Sequence, residues 1–204
     1  MAEEMDDGAL LDRWIDKDTA AGRSLVERHF ESVHRFFRSK IDRGAEDLTQ
    51  RVFAACVAEP QRFRGEGTFR AYLLGIARHI LFNHFRKQRR EVRALDFGVV
   101  SMEELQPSPT SALAMRGEMR LLHAALRRLP LDLQIVLELH YWEGATTAEI
   151  ARIVEVPVGT VKTRLARARR RLGREIEAAR AEPGLIESTL NGVEGWLEGI
   201  RQLY

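Results

Sequence analysis

Apolar side chains recur at intervals of three and four along most of the chain, and the alternation that marks a half-buried strand is scarce. This pattern predicts an all-α protein. It breaks at length once. Over 91–112 the helical spacing is lost, and Pro107 and Pro109 stand among Ser and Thr where a helix does not continue. The break predicts two small helical domains, 8–92 and 113–178, joined by a linker over 93–112. A second interruption, Glu182-Pro183-Gly184, sets off a C-terminal extension over 183–204.

Within the first domain, Leu10, Leu11, Trp14 and Ile15 form one apolar cluster, and Leu25, Phe30, Val33, Phe36 and Phe37 form another. Both are expected in the core. Over 47–57 an amphipathic helix turns Leu48, Val52 and Ala55 inward and leaves Asp47, Gln50, Arg51 and Ala54 outward. A longer helix is expected over 69–90, with Leu73, Ile76, Ala77 and Ile80 buried. Arg78, Phe82, Arg86 and Arg89 lie roughly opposite, with His79 nearby. A phenylalanine among arginines is either a nucleic-acid contact or a packing residue against another helix.

In the second domain Pro130 suits the first turn of a helix that runs to Trp142 and stops at Glu143-Gly144. Thr146 and Glu149 have capping-box spacing and open a short helix, Thr147–Val154. The tight break Glu155-Val156-Pro157 leads into a third helix, and two helices joined this closely are a helix-turn-helix signature. On the helix after the turn, Val161, Leu165, Ala168 and Leu172 make one stripe. Thr160, Thr163, Ala166, Arg167, Arg170 and Arg174 fall opposite, flanked by Lys162, Arg169 and Arg171. In the extension, Ile186, Leu190, Val193, Leu197, Ile200 and Tyr204 recur at alternating four and three, which predicts one short amphipathic helix. Gly192, Gly195 and Gly199 each weaken it by roughly 1 kcal/mol relative to Ala. It should therefore form only when docked, on this protein's own domains or on a partner.

Charge changes the picture. The net charge of +2 over 204 residues conceals a segregation. Residues 158–174 carry seven Lys or Arg and no acid, while residues 1–18 carry seven acids and two bases. A solvated helix face usually mixes signs to gain i,i+4 pairs. Unrelieved positive charge on a helix that can enter a major groove points instead to DNA. The stretch PQRFRGEGTFRAY interleaves Phe63, Phe69 and Tyr72 with Arg62, Arg64 and Arg70 around Gly65 and Gly67. Such a mixture suits single-stranded nucleic acid, because a base stacks on a ring while a cation meets its phosphate. Phe63 and Phe69 themselves are expected to be core anchors, which leaves the arginines, the glycines and Glu66 as the better loop contacts.

The remaining chemistry is sparse. Cys56 is the single cysteine, which excludes an intramolecular disulfide and a cysteine-rich zinc site, and it reads as a small core residue. His79 and His84, like His29 and His34, are five apart, about 140° around a helix, too far to share a metal. No HExxH spacing and no phosphate-binding glycine loop occurs. The expectation is a non-enzyme with no cofactor and no metal. No apolar run reaches the roughly 18 residues that a membrane span needs, and MAEEMDD is unlike a secretory signal, so a cytoplasmic protein is expected.

The sequence LPLDLQIVLELHYWEGATTAEIARIVEVPVGTVKTRLARARRRLGR resembles the C-terminal domain of extracytoplasmic-function (ECF) sigma factors, most specifically in PVGTVKTRL. That resemblance implies that Lys162, Thr163, Ala166 and Arg167 meet the −35 promoter element, with Thr160, Arg164 and Arg170 beside them. Residues 46–90, EDLTQRVFAACVAEPQRFRGEGTFRAYLLGIARHILFNHFRKQRR, are similar to the sigma domain that binds core RNA polymerase and then opens and reads the −10 element. By that likeness Asp47, Gln50, Arg51 and Ala54 dock on the β′ clamp coiled coil, and the β flap is a further polymerase contact. Arg64, Gly65, Glu66, Gly67 and Thr68 would capture a base flipped from the non-template strand. Arg78, His79, Phe82, Asn83, Arg86 and Arg89 would contact −10 DNA. His79 and Asn83 stand where the family usually has Asn and Asp, Arg51 where an acid is common, and Val57 where Trp is common. The family implies core RNA polymerase and promoter DNA as partners, and often an anti-sigma factor. The alternative from a different class is an autonomous helix-turn-helix regulator with an N-terminal sensing or interaction domain.

Overall fold

A computed structural model describes residues 5–41, 43–59, 63, 67–88 and 117–200. Ten helices and no strand lie among these residues, as an all-α reading requires. They fall into two units, one ending at Gln88 and the other lying beyond it. The expected linker over 93–112 is outside the described residues.

The first unit holds α1 (Asp7–Ile15), α2 (Thr19–Arg38), α3 (Ala45–Ala58) and α4 (Phe69–Gln88). Asp6 caps α1 by accepting from the amides of Gly8 and Ala9 at 2.7 and 3.0 Å. Asp18 caps α2 by accepting from those of Ala20 and Ala21, and its other oxygen takes the Arg13 guanidinium. Each cap satisfies donors that a helix start leaves open. Lys17, in the left-handed region at φ 71°, reverses the chain between the two helices. Helices α2, α3 and α4 pack on one another, and α1 lies on α2. Their common core contains Leu25, Val33 and Phe37 from α2, Leu48, Val52 and Cys56 from α3, and Leu73, Ala77, Leu81 and Phe85 from α4.

Three expectations about this core need correction. Ile15 is 41% exposed, because α1 is short and only Leu10 and Leu11 reach the interior. Trp14 is half-buried, lying across Gly22, and Phe30 is half-buried, stacked on His34 at 5.2 Å. On α4, Leu74, Leu81 and Phe85 are buried, whereas Ile76 and Ile80 are only half-buried. The cause is that α4 packs against both α2 and α3, so its buried arc is wide and a single stripe mislocates its centre.

The second unit holds α5 (Gly117–Arg127), α6 (Leu131–Tyr141), α7 (Thr147–Val154), α8 (Val158–Glu177), α9 (Pro183–Asn191) and α10 (Val193–Ile200). Buried Leu122 and Leu126 of α5, Ile135, Val136 and Leu139 of α6 and Ile150 of α7 surround the inner stripe of α8. The extension is two helices rather than one, broken at Gly192. Pro183 begins α9 at a position where its missing N–H costs nothing. The pair docks on the protein itself: α9 against α5 and α8, α10 against α5 and α6. Leu197 is 1% exposed, and its carbonyl accepts the Trp142 indole N–H at 2.6 Å.

Two predictions follow from this packing. A Cβ on Gly22 would lie 2.3 Å from the Trp14 ring nitrogen, so Gly22→Ala displaces the indole. Overpacking of about 1–3 kcal/mol outweighs the helix-propensity gain of about 1 kcal/mol. The expected outcome is a net loss of stability with a shift in tryptophan emission. Second, His123 is buried, and burial together with the Arg127 charge lowers its pKa to about 4. The folded state therefore binds fewer protons than the unfolded state, and stability falls as pH drops below 6.5 towards 4. This group should cost about 2 kcal/mol on going from pH 7 to pH 5. Urea unfolding of His123→Gln should lack that increment.

Candidate nucleic-acid interface

The helix-turn-helix is built by local chemistry. The Thr146 hydroxyl accepts from the Glu149 amide at 3.2 Å, and the Glu149 carboxylate accepts from the Thr146 amide at 2.9 Å, completing the capping box of α7. Glu155, left-handed at φ 55°, ends α7, and its amide returns to the Ala151 carbonyl. The carbonyl of Pro157 then accepts from Thr160 and Val161, which starts α8. Val161, Leu165, Ala168, Leu172 and Ile176 are all buried against α6 and α7, which fixes the rotation of α8 about its axis.

That rotation exposes Lys162, Thr163, Ala166, Arg167, Arg170 and Arg174 and leaves Thr160 half-buried. Among the described residues, none of the four cations Lys162, Arg167, Arg170 and Arg174 pairs with an acid. Two other cations do. Arg164 is half-buried with its Nε 3.5 Å from the Asp132 carboxylate of α6, and Arg171 lies 3.4 Å from Glu175. Arg164 is thus held against the domain, unlike its neighbours. Sequence reasoning missed Val158, which is 40% exposed in the first turn of α8. Its signal was its position just after Pro157.

In the first unit, Asp47, Gln50, Arg51 and Ala54 share one exposed face of α3, with Asp47 and Arg51 paired at 2.7 Å. The buried side is broader than one stripe and includes Thr49, Phe53 and Cys56, while Ala55 is only half-buried. Burial pushes the Cys56 thiol up to about 12, so it is no nucleophile at neutral pH. On α4, His79, Asn83 and Arg86 are exposed along one side. Arg78 and Phe82 are half-buried there, with the guanidinium 4.7 Å above the ring. Phe82 is thereby partly packed and partly open.

The loop before α4 is described in part. Gly67 is exposed at φ 93°, a conformation that favours glycine, and exposed Thr68 caps α4 by accepting from the Ala71 amide at 3.2 Å. Phe69 is 2% exposed and serves as a core anchor, edge-on to Phe63 at 5.2 Å and 5.4 Å from His29. Phe63 itself is half-buried. Arg64, Gly65, Glu66 and Arg89 lie outside the described residues. Among the described residues, no group of three or more His, Cys, Asp or Glu is placed to hold a metal, and no helix is long and apolar enough to cross a membrane.

Comparison with known proteins matches these two units to two family models. Residues 25–91 match Sigma-70 region 2, and residues 119–172 match Sigma-70, region 4. The chain is 28% identical over 186 residues to the ECF RNA polymerase sigma-E factor of Haemophilus influenzae, covering 87% of this chain and 98% of that protein. The Escherichia coli (strain K12) protein of the same name is 27% identical over 186 residues, covering 87% and 97%. Among solved structures, the fold is shared with CnrH in complex with the cytosolic domain of CnrY (TM-score 0.61, 21% identity, 84% of this chain and 97% of that one). It is shared also with the sigma factor RpoE bound to the anti-sigma factor NepR from Bartonella quintana (TM-score 0.57, 23% identity, 78% and 98%).

The crowding of like charge on α8 has a measurable signature. Arg167 stands three or four residues from Arg164, Arg170 and Arg171, spacings at which like charges repel by a few tenths of a kcal/mol. Arg167→Gln should slightly raise the unfolding midpoint at low salt, and the gain should vanish by about 1 M salt, where the Debye length is about 3 Å. A loss of stability at low salt would show that Arg167 is held by the domain rather than strained on its surface.

Proposed function

The chain belongs to the ECF group of sigma-70 factors, and on that premise we propose that it selects transcription start sites through two faces, on α8 and on α3–α4. It carries no catalysis of its own. It binds core RNA polymerase and directs the enzyme to promoters. The single observation that carries the assignment of faces is the outward side of α8. There a buried stripe holds four cations without acidic partners among the described residues, a surface that complements a polyanion.

On this reading α8 enters the major groove of the −35 element. Thr160, Lys162, Thr163, Ala166, Arg167 and Arg170 line the approach, and Arg164 is positioned by Asp132 at the edge of it. Arginine reads guanine through a bidentate pair worth about 1–3 kcal/mol of discrimination. The exposed face of α3, Asp47, Gln50, Arg51 and Ala54, docks on the β′ clamp coiled coil, and the second unit meets the β flap. The loop Arg64, Gly65, Glu66, Gly67 and Thr68 takes up a base flipped from the non-template strand, which couples reading to melting because extrusion costs a few kcal/mol. Arg78, His79, Phe82, Asn83, Arg86 and Arg89 hold the flanking DNA of the −10 element. The chain works in the cytoplasm. Regulation by an anti-sigma factor is supported by the Bartonella relative in fold, which was solved with one. The region 2 match occupies the half of the chain where an autonomous regulator would need a sensing domain.

Run-off transcription with core enzyme on genomic fragments tests the reading. The purified chain alone should leave promoter DNA unprotected, and addition of core enzyme should give footprints over both elements. Arg167→Glu should reduce initiation at native start sites by about tenfold or more, the loss of roughly 1–3 kcal/mol plus repulsion, with core affinity unchanged. Tight operator binding by the chain alone, indifferent to core enzyme, would return the reading to an autonomous regulator.

A further inference from the structure

Besides the direct packing of α9 on α8, one side chain ties α10 to the basic helix. Tyr141, the last residue of α6, accepts from the Nε of Arg169 on α8 at 2.9 Å and donates to the Glu194 carboxylate of α10 at 3.1 Å. The Arg169 guanidinium also lies over the Tyr141 ring, 5.5 Å from its centroid. Both hydrogen-bonding roles of the phenol are therefore used, one towards the cation and one towards the acid. Burial keeps the phenol above its usual pKa, so it remains a neutral donor and acceptor at physiological pH.

We propose that Arg169 is a DNA-phosphate contact, and that Tyr141 and Glu194 are positioning residues that hold it ready. This rests on the proposed reading of α8 and extends it to the C-terminal extension. Arg169 is exposed and lies two turns along α8 from Lys162, within about 20° of it around the axis, so the two share one flank of the recognition face. Its Nε is engaged by Tyr141, which leaves the four terminal N–H donors of the guanidinium for a phosphate. A free arginine loses rotamer freedom when it binds, and fixing it beforehand removes part of that cost.

The extension is anchored independently of this relay, as a positioning device requires. The Trp142 indole N–H donates to the carbonyl of Leu197, the most deeply buried described residue of α10. Ser188 donates to Glu118 of α5 at 3.3 Å, and Thr189 is fully buried. The neighbours Tyr141 and Trp142 therefore divide the work: one carries the link to α8 while the other pins α10.

Salt titrations of promoter binding by the full chain with core enzyme separate a contact from its support. Arg169→Ala should reduce affinity and lower the slope of log K against log salt by about 0.9, the signature of one lost phosphate contact. Tyr141→Phe keeps the ring beneath the guanidinium but removes both hydrogen bonds. It should reduce affinity roughly two- to tenfold with the slope unchanged, because the contact still forms but from a freer side chain. Glu194→Ala should behave like Tyr141→Phe, and Glu194→Gln, which keeps an acceptor, should restore most of the loss. In the Arg169→Ala background, Tyr141→Phe should have no further effect. An unchanged slope in Arg169→Ala, a Tyr141→Phe defect that persists without Arg169, or tighter binding in Glu194→Ala would each overturn the proposal. Failure of the parent chain to give core-dependent binding would overturn the reading of α8 instead.

Discussion

Burial of one face of α8 is the constraint on which the rest depends. A helix with this density of like charge opposes its own formation, since its arginines stand at spacings where like charges repel. The stripe Val161, Leu165, Ala168, Leu172 and Ile176 overcomes that repulsion by tying the helix to the domain along its whole length. Removing each of Val161, Leu165, Leu172 and Ile176 from water stabilises by about 1.5–3 kcal/mol, against tenths for each repulsive pair. The hydrophobic term wins, so the cations are held in fixed directions. Ordered charge of one sign is what distinguishes a reading surface from a sticky tail.

The same stripe explains what was legible in the sequence. On α8 one side is buried and one is open, so period alone located both faces. The capping box at Thr146 and Glu149 was readable because its spacing encodes its hydrogen bonds. On α4 the stripe was centred too far towards Ile76 and Ile80, because two neighbouring helices bury a wide arc that takes in Leu74, Leu81 and Phe85 as well. The extension followed a helical period across Gly192, yet the chain breaks there. Periodicity records which residues want to be covered and is silent about where the backbone turns to cover them. Arg164 was placed beside the −35 contacts by resemblance alone, and its pairing with Asp132 was not legible because that partner is distant in sequence. Tyr141 was passed over for a like reason, as its partners are 28 and 53 residues away.

In the first unit, structural and functional roles lie side by side on single helices. Phe69 anchors the start of α4 in the core, and the adjoining Thr68 caps it, so the glycine-containing loop that precedes α4 leads into a fixed point. On the proposed reading this arrangement matters, because a pocket that extracts a base must not yield when the base pulls back. The stacked pair of Arg78 and Phe82 has a related consequence. Both side chains are half-buried, and each limits the freedom of the other before any nucleic acid arrives.

Segregation of charge then acts on specificity. A uniformly basic protein of this size would spend its affinity on the vast excess of non-promoter DNA, because phosphate contacts carry no sequence information. Here the net charge is only +2, with acids gathered at the N-terminus and exposed along the extension at Glu182, Glu187 and Glu194. Acids spread over the chain weaken its attraction to DNA as a whole, while Glu194 acts locally, on Arg169 through Tyr141. On the proposed reading, two modest readers joined through polymerase also need not be tight one by one. Engagement of the first raises the effective concentration of the second to about the millimolar range, so occupancy demands that both elements be present together. A stronger α8 would raise affinity and erode that requirement, which is a physical reason for the net charge of the chain to stay as low as +2.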